Sequence, residues 1–299
     1  MFAEKRYDPD SITRIPNVFV NCMFPQSDPG QVDHWQRTQN GVTMILHPYI
    51  DTTGVESGKY AARHGAPQTG QRKYPYGVFS RLLLYWVGWH AMFRAERKIM
   101  LAPIFPEFVK KFRIRARSRD RERLLDHMMR VFQCHIEFKI DTQYSKIWRY
   151  LPITEEGLVA FHDVNLPDAK LTDESHVTLS ENFYKMLRHR PVPVDIRALQ
   201  ALRHSTLAID LYTWGTYQTF SLQKAKQPRI YSWKQLAHQF GANYCYPSEF
   251  KEKIPRVLRQ VHAVYPEFMV ELLHEGLKVY PSRPAVLPEG KEEKIIEAN

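Results

Sequence analysis

Cysteine is scarce in this chain, with three residues among 299. Cys22, Cys134 and Cys245 are far apart and include neither a CxxC pair nor a histidine at zinc-ligand spacing, so the pattern indicates no disulfide framework and no structural zinc site. Long apolar runs are lacking as well. The longest, LLLYWVGW, is too short to span a bilayer, and the N-terminus has charges in place of a signal peptide's apolar core. We therefore expect a cytoplasmic protein in a reducing compartment, with no membrane partner.

The signatures of nucleotide-driven and DNA-cleaving enzymes are missing too. No GxxxxGK followed by Ser or Thr is present to surround phosphates. The 13 histidines are dispersed, and no His-x-His pair precedes a strand pattern, as the metal site of a DNA-nicking enzyme would require. His162 and Asp163 are adjacent but have no partners at a recognisable catalytic spacing. These absences predict a protein that is not an enzyme and that uses no metal or other cofactor.

Positive charge is in excess and unevenly distributed. The net charge is +10 and the pI is about 9.4. Residues 1–73 hold 8 Lys and Arg against 7 acids, and residues 288–299 hold 2 against 4, which leaves 32 against 21 in residues 74–287. This local excess favours a polyanionic partner. Charge alone is equally compatible with a soluble basic protein that has no such partner.

The C-terminal half begins with the first elements of a winged helix-turn-helix. Apolar residues, including Trp214, recur at spacings of three to five through residues 195–222, which predicts one long helix with a buried stripe. Ser232 is then placed to cap a short helix, WKQLAHQF. Gly241 follows at the position where a left-handed residue ends a helix. The pattern predicts a long helix, a short helix and a tight turn.

A second helix and a β-hairpin complete this unit. Residues 249–264 combine an apolar stripe with a polar side, and FMVELL and LKVYP flank a short turn. Pro255 is unfavourable inside a helix, so the helix could also begin near Pro255. A helix of this width fits the DNA major groove, where Arg and Gln contact base edges. The predicted DNA-binding residues of this helix are Lys253, Arg256, Arg259 and Gln260.

The same order of elements is also predicted earlier in the chain. GVFSRLLLYWVGWHAMFRAE is a helical pattern whose aromatic residues, Phe93 among them, are expected in the core. IMLAPIFPEFVKKF supplies a short extended piece and a short helix, and SRDRERLLDHMMRVFQ supplies a basic helix. HIEFKI alternates like the first strand of a wing, with its return strand or strands in YLPITEEGLVAFHDV. The sequence therefore predicts two units of one plan, without identity between them.

The densest cluster of cations lies before and within the basic helix of the first unit. Such a run is usually a solvated face, but guanidinium groups on a loop and a first helical turn also suit phosphate contacts that position a protein on DNA. The predicted DNA-binding residues of this cluster are Lys111, Arg113, Arg115, Arg117, Arg119 and Arg123.

Several motifs together resemble a known family. YPYGVFSRLLLYWV, LSENFYKML, PVPVDIRALQAL, LAIDLYTWGTYQ, YSWKQLAHQFGANY and VYPEFMVELLHEGLKVYPS occur in one order over residues 74–284. This series resembles the plasmid-encoded RepA replication initiators. In SWKQLAHQFG the resemblance makes Ser232, Trp233 and Gly241 part of the helix-turn-helix framework, together with Leu236, Gln239 and Phe240. The chain departs from the family at RIRARSRDR and at His127, where Gln is usual.

The resemblance implies a bacterial plasmid protein that binds directly repeated double-stranded sequences in its own origin. It also implies that the protein helps to melt the duplex and brings in the host initiator and the replicative helicase. Related initiators with two winged helices act as monomers at the origin and as dimers in self-repression, so the resemblance includes a homodimer among the partners.

We thus expect an α+β protein of two tandem winged helix-turn-helix domains, mainly helical with small β wings. The expected divisions are a loosely ordered leader (1–73), a first winged-helix domain (74–187), a second (188–285) and a disordered tail (286–299), with a short strand at VTMILH in the leader. A sequence-specific transcriptional regulator is an alternative function, although no segment is available for effector sensing. A DNA-nicking rolling-circle initiator or relaxase is a more distant one.

Overall fold

The computed structural model describes residues 8–39, 41–52, 70–102, 104–114, 118–160, 171–240 and 247–286. The helices in these ranges are α1 (Asn17–Asn21), α2 (Gly77–Arg94), α3 (Ile104–Phe112), α4 (Ser118–Gln133), α5 (Glu181–Arg188), α6 (Ile196–Leu202), α7 (Thr206–Ala225), α8 (Trp233–Phe240) and α9 (Pro247–His262). The strands in these ranges are β1 (Ile12–Ile15), β2 (Trp35–Gln39), β3 (Val42–His47), β4 (Tyr49–Asp51), β5 (Gln71–Lys73), β6 (Lys98–Met100), β7 (His135–Asp141), β8 (Lys146–Tyr150), β9 (Thr154–Leu158), β10 (His176–Leu179), β11 (Val192–Asp195), β12 (Arg229–Ser232), β13 (Val270–Leu272) and β14 (Gly276–Val279). This mixture confirms the predicted α+β class.

The segment before Tyr74 contributes to the core. The predicted strand VTMILH is β3, and it pairs with β2 on one side and with β7 on the other. β1 pairs with β11, and Phe19 and Phe24 are completely buried. The expectation of a loosely ordered leader is therefore wrong for the described residues of 1–73. β3 and β1 find these later partners 88 to 98 and 177 to 183 residues further along the chain, at a distance that local patterns do not reveal.

Two long helices, α2 and α7, pack against each other at the centre. The predicted single helix over residues 195–222 is two helices, because Ser205 accepts a hydrogen bond from the Ala208 amide and caps the start of α7. In α2 the predicted core residues Trp86 and Trp89 are buried, but Phe93 is 50% exposed and stacks on Trp89. The last turn of α2 thus extends beyond the core.

A buried ion pair joins these two helices. Arg81 of α2 donates from Nε and Nη2 to the two carboxylate oxygens of Asp210 in α7, both at 2.8 Å. The Tyr85 and Thr213 hydroxyls lie 2.6 Å apart one turn further along. The hydrophobic cluster runs without interruption from α2 to α7. The two halves of the chain therefore share one core.

Two three-stranded sheets follow the same plan. In one the strand order is β6-β10-β9 and in the other it is β12-β14-β13. In each sheet the strand that comes last in the chain therefore lies in the centre, between the first and the second. A long helix, α2 or α7, precedes the first strand of each sheet. A short helix and a 16-residue helix follow that strand: α3 and α4 in one case, α8 and α9 in the other. The repeat of element order predicted from the sequence is thus also a repeat of sheet topology.

The strand HIEFKI lies in a different sheet from the one predicted. As β7 it is a strand, but it pairs with β3 and β8 in the four-stranded sheet β2-β3-β7-β8 and does not pair with β9. Its Ile136 and Phe138 side chains are buried, as are Met44 and Leu46 of β3. Burial against the N-terminal segment determines this pairing, so the assignment of β7 to the wing was wrong.

Candidate nucleic-acid interface

A cleft of about 1200 Å³ lies between α4, α9 and the turn from α6 to α7, and we call it the interhelical cleft. Its cationic lining residues are Arg113, Arg123, Arg203, Lys253 and Arg256. His127, His204 and Gln260 add polar atoms. No Asp or Glu belongs to the lining among the residues that the structure describes. The cleft is therefore a concentrated positive surface to which both halves of the chain contribute.

Helix α9 presents a polar face because its opposite face is anchored. Phe250, Ile254 and Val261 are fully buried, and Val257 and Leu258 nearly so. On the other side Lys253, Arg256, Arg259 and Gln260 are exposed, as the apolar stripe predicts.

Pro255 does not begin helix α9. The helix begins at Pro247 and continues through Pro255, which is half-buried. Phe250 and Ile254 are fully buried on the N-terminal side of this proline. Their burial stabilises the first turns against the lost backbone hydrogen bond. The alternative start near Pro255 is therefore wrong.

The short helix α8 is capped at its N-terminus and is hydrogen-bonded to the β13–β14 hairpin. Ser232 Oγ accepts from the Gln235 amide at 3.2 Å and Gln235 Oε1 accepts from the Ser232 amide at 2.9 Å, which makes a complete capping box. The Trp233 indole donates to the carbonyls of Leu273 and His274 in the β13–β14 turn. The predicted N-cap and the hairpin are both present, whereas Gly241 lies outside the described residues.

Beside α4, the cleft has an aromatic floor. His127 stacks on Phe79, with the ring centroids 5.5 Å apart, and its Nδ1 lies 3.0 Å from Ser80 Oγ. The Arg123 guanidinium lies 5.1 Å from the Phe79 ring centroid. Burial lowers the pKa of His127 from 6.5 to about 4, and the positive charge of Arg130 acts in the same direction. His127 is therefore neutral at pH 7 and acts as a structural support for the cationic rim.

The turn between α6 and α7 supplies a cation that the sequence analysis missed. Arg203 and His204 line the cleft just before Ser205, the N-cap of α7. Continuous helical periodicity across residues 195–222 hid this turn. The signal that could have revealed it is Ser205 followed by an apolar run, which is typical of a helix start.

The predicted DNA-binding residues have three different placements. Those that line the cleft are Arg113, Arg123, Lys253, Arg256 and Gln260. Arg259 is exposed on α9 but does not line the cleft, and Lys111 is half-buried elsewhere. Those outside the described residues are Arg115, Arg117 and the side chain of Arg119.

Lys111 already has partners within the fold. Its ammonium lies 3.6 Å from the Trp89 ring centroid and donates to the Asp10 carbonyl at 2.7 Å. Burial lowers its pKa from the ordinary lysine value. These contacts attach α3 to α2 and to the N-terminal segment.

No helix in the described ranges is long and apolar enough to cross a membrane. In the same ranges no group of three His, Cys, Asp or Glu side chains could hold a metal ion.

Comparisons with known proteins agree with the motifs. The family of plasmid-encoded RepA proteins matches residues 74–235, more than half of the chain. A solved structure of domains 2 and 3 of RctB is similar, with a TM-score of 0.55 and 10% identity over 91% of this chain and 99% of that chain. Another structure of RctB domains 2–3 has a TM-score of 0.47 and 8% identity over 88% of this chain and 95% of that one. None of the curated proteins compared with the chain matches it.

The likeness to RctB at 10% identity concerns the fold alone. The family match covers α2 to α7 and the first residues of α8. It therefore confirms the resemblance seen in the motifs. The chain belongs to the family of plasmid-encoded RepA proteins, which supports a role in replication initiation.

Proposed function

We propose that this protein is a plasmid replication initiator that binds directly repeated double-stranded DNA at its origin through the interhelical cleft. In this proposal it promotes local melting of the origin and recruits the host initiator and replicative helicase. It acts in the bacterial cytoplasm on DNA and does not cut the DNA chain. Host partners and a homodimer rest on family membership alone.

The observation that carries the proposal is the convergence of cations from two separate helices on one cleft, whose described lining residues include no Asp or Glu. Arg123 belongs to α4, whereas Lys253 and Arg256 belong to α9, 130 and 133 positions further along the chain. Positive charge in a concave surface raises the local potential and attracts a polyanion. A volume of about 1200 Å³ suits a segment of sugar–phosphate backbone rather than a whole duplex. We therefore place the phosphates of one strand in the cleft, against Arg123, Arg203 and Lys253.

The repeated topology supports the reading of two winged helices. In each unit the 16-residue helix follows a short helix and precedes the second and third strands of a three-stranded sheet. This is the position of a recognition helix in helix-turn-helix proteins. With phosphates held between them, α4 and α9 extend on either side towards base edges. Gln260 and Arg256, four residues apart on α9, share a face and form its reading pair.

The test uses cleft variants against a matched control on the same helix. Footprinting on DNA that flanks the coding region identifies the repeat, and affinity is then measured for this repeat and for a scrambled one over a range of salt concentrations. We expect Arg203→Ala to weaken binding to both sequences and to lower the salt slope by about 0.9, the value of one phosphate contact. Arg256→Ala should cost about 1–3 kcal/mol of specific binding. Arg259 is an exposed cation outside the cleft. Arg259→Ala should therefore change the ratio of affinities for the repeat and the scrambled sequence less than Arg256→Ala does.

Two outcomes would contradict this assignment. An unaltered salt slope in Arg203→Ala, together with equal losses in the Arg256 and Arg259 variants, would place the DNA on another surface. A separate assay incubates the protein with supercoiled origin DNA and Mg²⁺. We expect single-stranded sites that react with permanganate in DNA that remains supercoiled, whereas relaxed, nicked circles would identify a cleaving enzyme.

A further inference from the structure

A second cationic groove lies at the other end of α7. It has a volume of about 630 Å³ and is bounded by the C-terminal half of α7, the β1–β11 ribbon and the turn between α5 and β11. We call it the α7 groove. Its basic lining residues are Arg14, Arg188, Arg190 and Lys224. No carboxylate belongs to the lining in the part of the chain that the structure describes.

The apolar wall of this groove is made of rings. Tyr217 and Phe220 lie three residues apart on α7, and Lys224 follows at the next turn of the same face. Both rings are half-buried, and the Lys224 ammonium lies 5.1 Å from the Phe220 ring centroid. Across the groove, Pro193 of β11 pairs with Arg14 of β1. The groove thus combines an aromatic wall with a cationic rim.

The rim cations are accessible to a ligand. Arg188, the last residue of α5, is exposed, with its guanidinium 5.8 Å from the Tyr184 ring centroid. Arg190 is also exposed, and it has a left-handed backbone with φ of 52°. Three exposed cations around a half-buried apolar wall give a potential that favours a multiply charged anion.

The α7 groove is separate from the interhelical cleft. No residue lines both. On α7 the lining residues nearest to each other are Leu207 in the cleft and Thr216 in the groove, and a rise of nine residues of helix corresponds to about 14 Å. Binding in the groove therefore leaves the proposed DNA surface open.

We propose that the α7 groove binds a nucleoside polyphosphate. Its phosphates would contact Arg188, Arg190 and Lys224, because guanidinium and ammonium groups are the usual partners of phosphate oxygens. Its base would lie against Phe220 and Tyr217. The volume is in the range of small-ligand pockets. An acidic peptide would have to concentrate several carboxylates within the same few ångströms, whereas a polyphosphate carries that charge on adjacent groups. This site is independent of the proposed function, and the inference concerns binding without hydrolysis.

The experiment measures ATP binding to the full-length protein by calorimetry, with adenosine and tripolyphosphate as partial ligands. We expect ATP to bind more tightly than either fragment. Arg190→Gln should weaken ATP and tripolyphosphate by about tenfold, the usual loss for one charge-assisted contact. Phe220→Leu should weaken ATP but not tripolyphosphate. Arg203→Gln, which removes a cleft cation, should leave ATP binding unchanged and weaken DNA binding, whereas Arg190→Gln should have the reverse pattern.

Each contrary result overturns the proposal. Absence of ATP binding at millimolar concentration removes the site. Equal affinities for ATP and tripolyphosphate remove the base from it. Loss of ATP binding in Arg203→Gln, with retention in Arg190→Gln, would move the nucleotide to the DNA surface. If a short single-stranded oligonucleotide displaces ATP at a concentration below that at which ATP itself binds, DNA is the ligand of the groove. Circular dichroism of each variant confirms that it is folded.

Discussion

Removal of either partner of the buried Arg81–Asp210 pair should destabilise the protein strongly. The pair is bidentate and its side chains are 0% and 3% exposed. Arg81 also donates to the carbonyls of Phe24, Pro25 and Gly77 at 2.7–3.0 Å. A single substitution leaves a charge in the core without its counter-ion, and the usual loss is about 3–5 kcal/mol.

The two single substitutions should differ in a defined direction. Asp210→Leu leaves the guanidinium with its three carbonyl acceptors, so we expect a loss near 3 kcal/mol. Arg81→Met leaves the carboxylate without its bidentate partner and also removes the donor of those three carbonyls, so we expect about 5 kcal/mol. The double variant removes both charges. Its loss of unfolding free energy should therefore be smaller than the sum of the two single losses by at least about 2 kcal/mol.

Urea unfolding of the four proteins, followed by circular dichroism, gives the free energies of this double-mutant cycle. The m-values must agree, since a change in m would mean that the unfolding transition itself had changed. Losses below about 1 kcal/mol, or single losses that simply add in the double variant, would refute the reasoning. Such a result would mean that water or a rearranged core compensates the isolated charge.

Two further predictions concern the same core. Gly88→Ala should lower stability by about 1–3 kcal/mol despite the better helix propensity of alanine, because the added Cβ would lie 2.0 Å from the Arg14 carbonyl oxygen; a raised melting temperature would contradict this contact. His127 has a folded pKa of about 4 against 6.5 when unfolded, so the unfolded state takes up the proton first and stability should fall by up to about 3 kcal/mol from pH 6.5 to 4. His127→Gln should reduce this loss, with the remainder partly due to His90, whose pKa is also lowered to about 4; identical pH profiles for the two proteins would exclude His127 as the source.

Local elements could be predicted because their information is local. The basic helix α4 has the predicted limits, Ser118–Gln133, and β3 is the predicted VTMILH. The Ser232 cap and the β13–β14 hairpin also have their signals within a few residues. The break between α6 and α7 was missed, because Leu202 and Leu207 continue the spacing of one stripe across it.

The candidate site could be predicted only in part. The spacing of apolar residues on α9 identified which side faces outwards, and this placed Arg256 and Gln260 correctly on the exposed face. That spacing does not distinguish Arg256 from Arg259, since both are exposed and only the packing of α9 beside the α6–α7 turn brings Arg256 into the cleft. In the same way Lys111 has the positive charge of a phosphate-binding residue, but its ammonium lies against the Trp89 ring.

The amino-acid sequence by itself determined helices α4 and α8, the Ser232 cap, the C-terminal hairpin, the excess of positive charge and the family. Periodicity, capping and motif order are properties of neighbouring residues. Tertiary structure alone decided that the N-terminal segment pairs with β7 and β11, that Arg81 meets Asp210 across 129 positions, and that both basic helices line one cleft. Such contacts depend on which surfaces bury each other, and burial is a property of the whole chain.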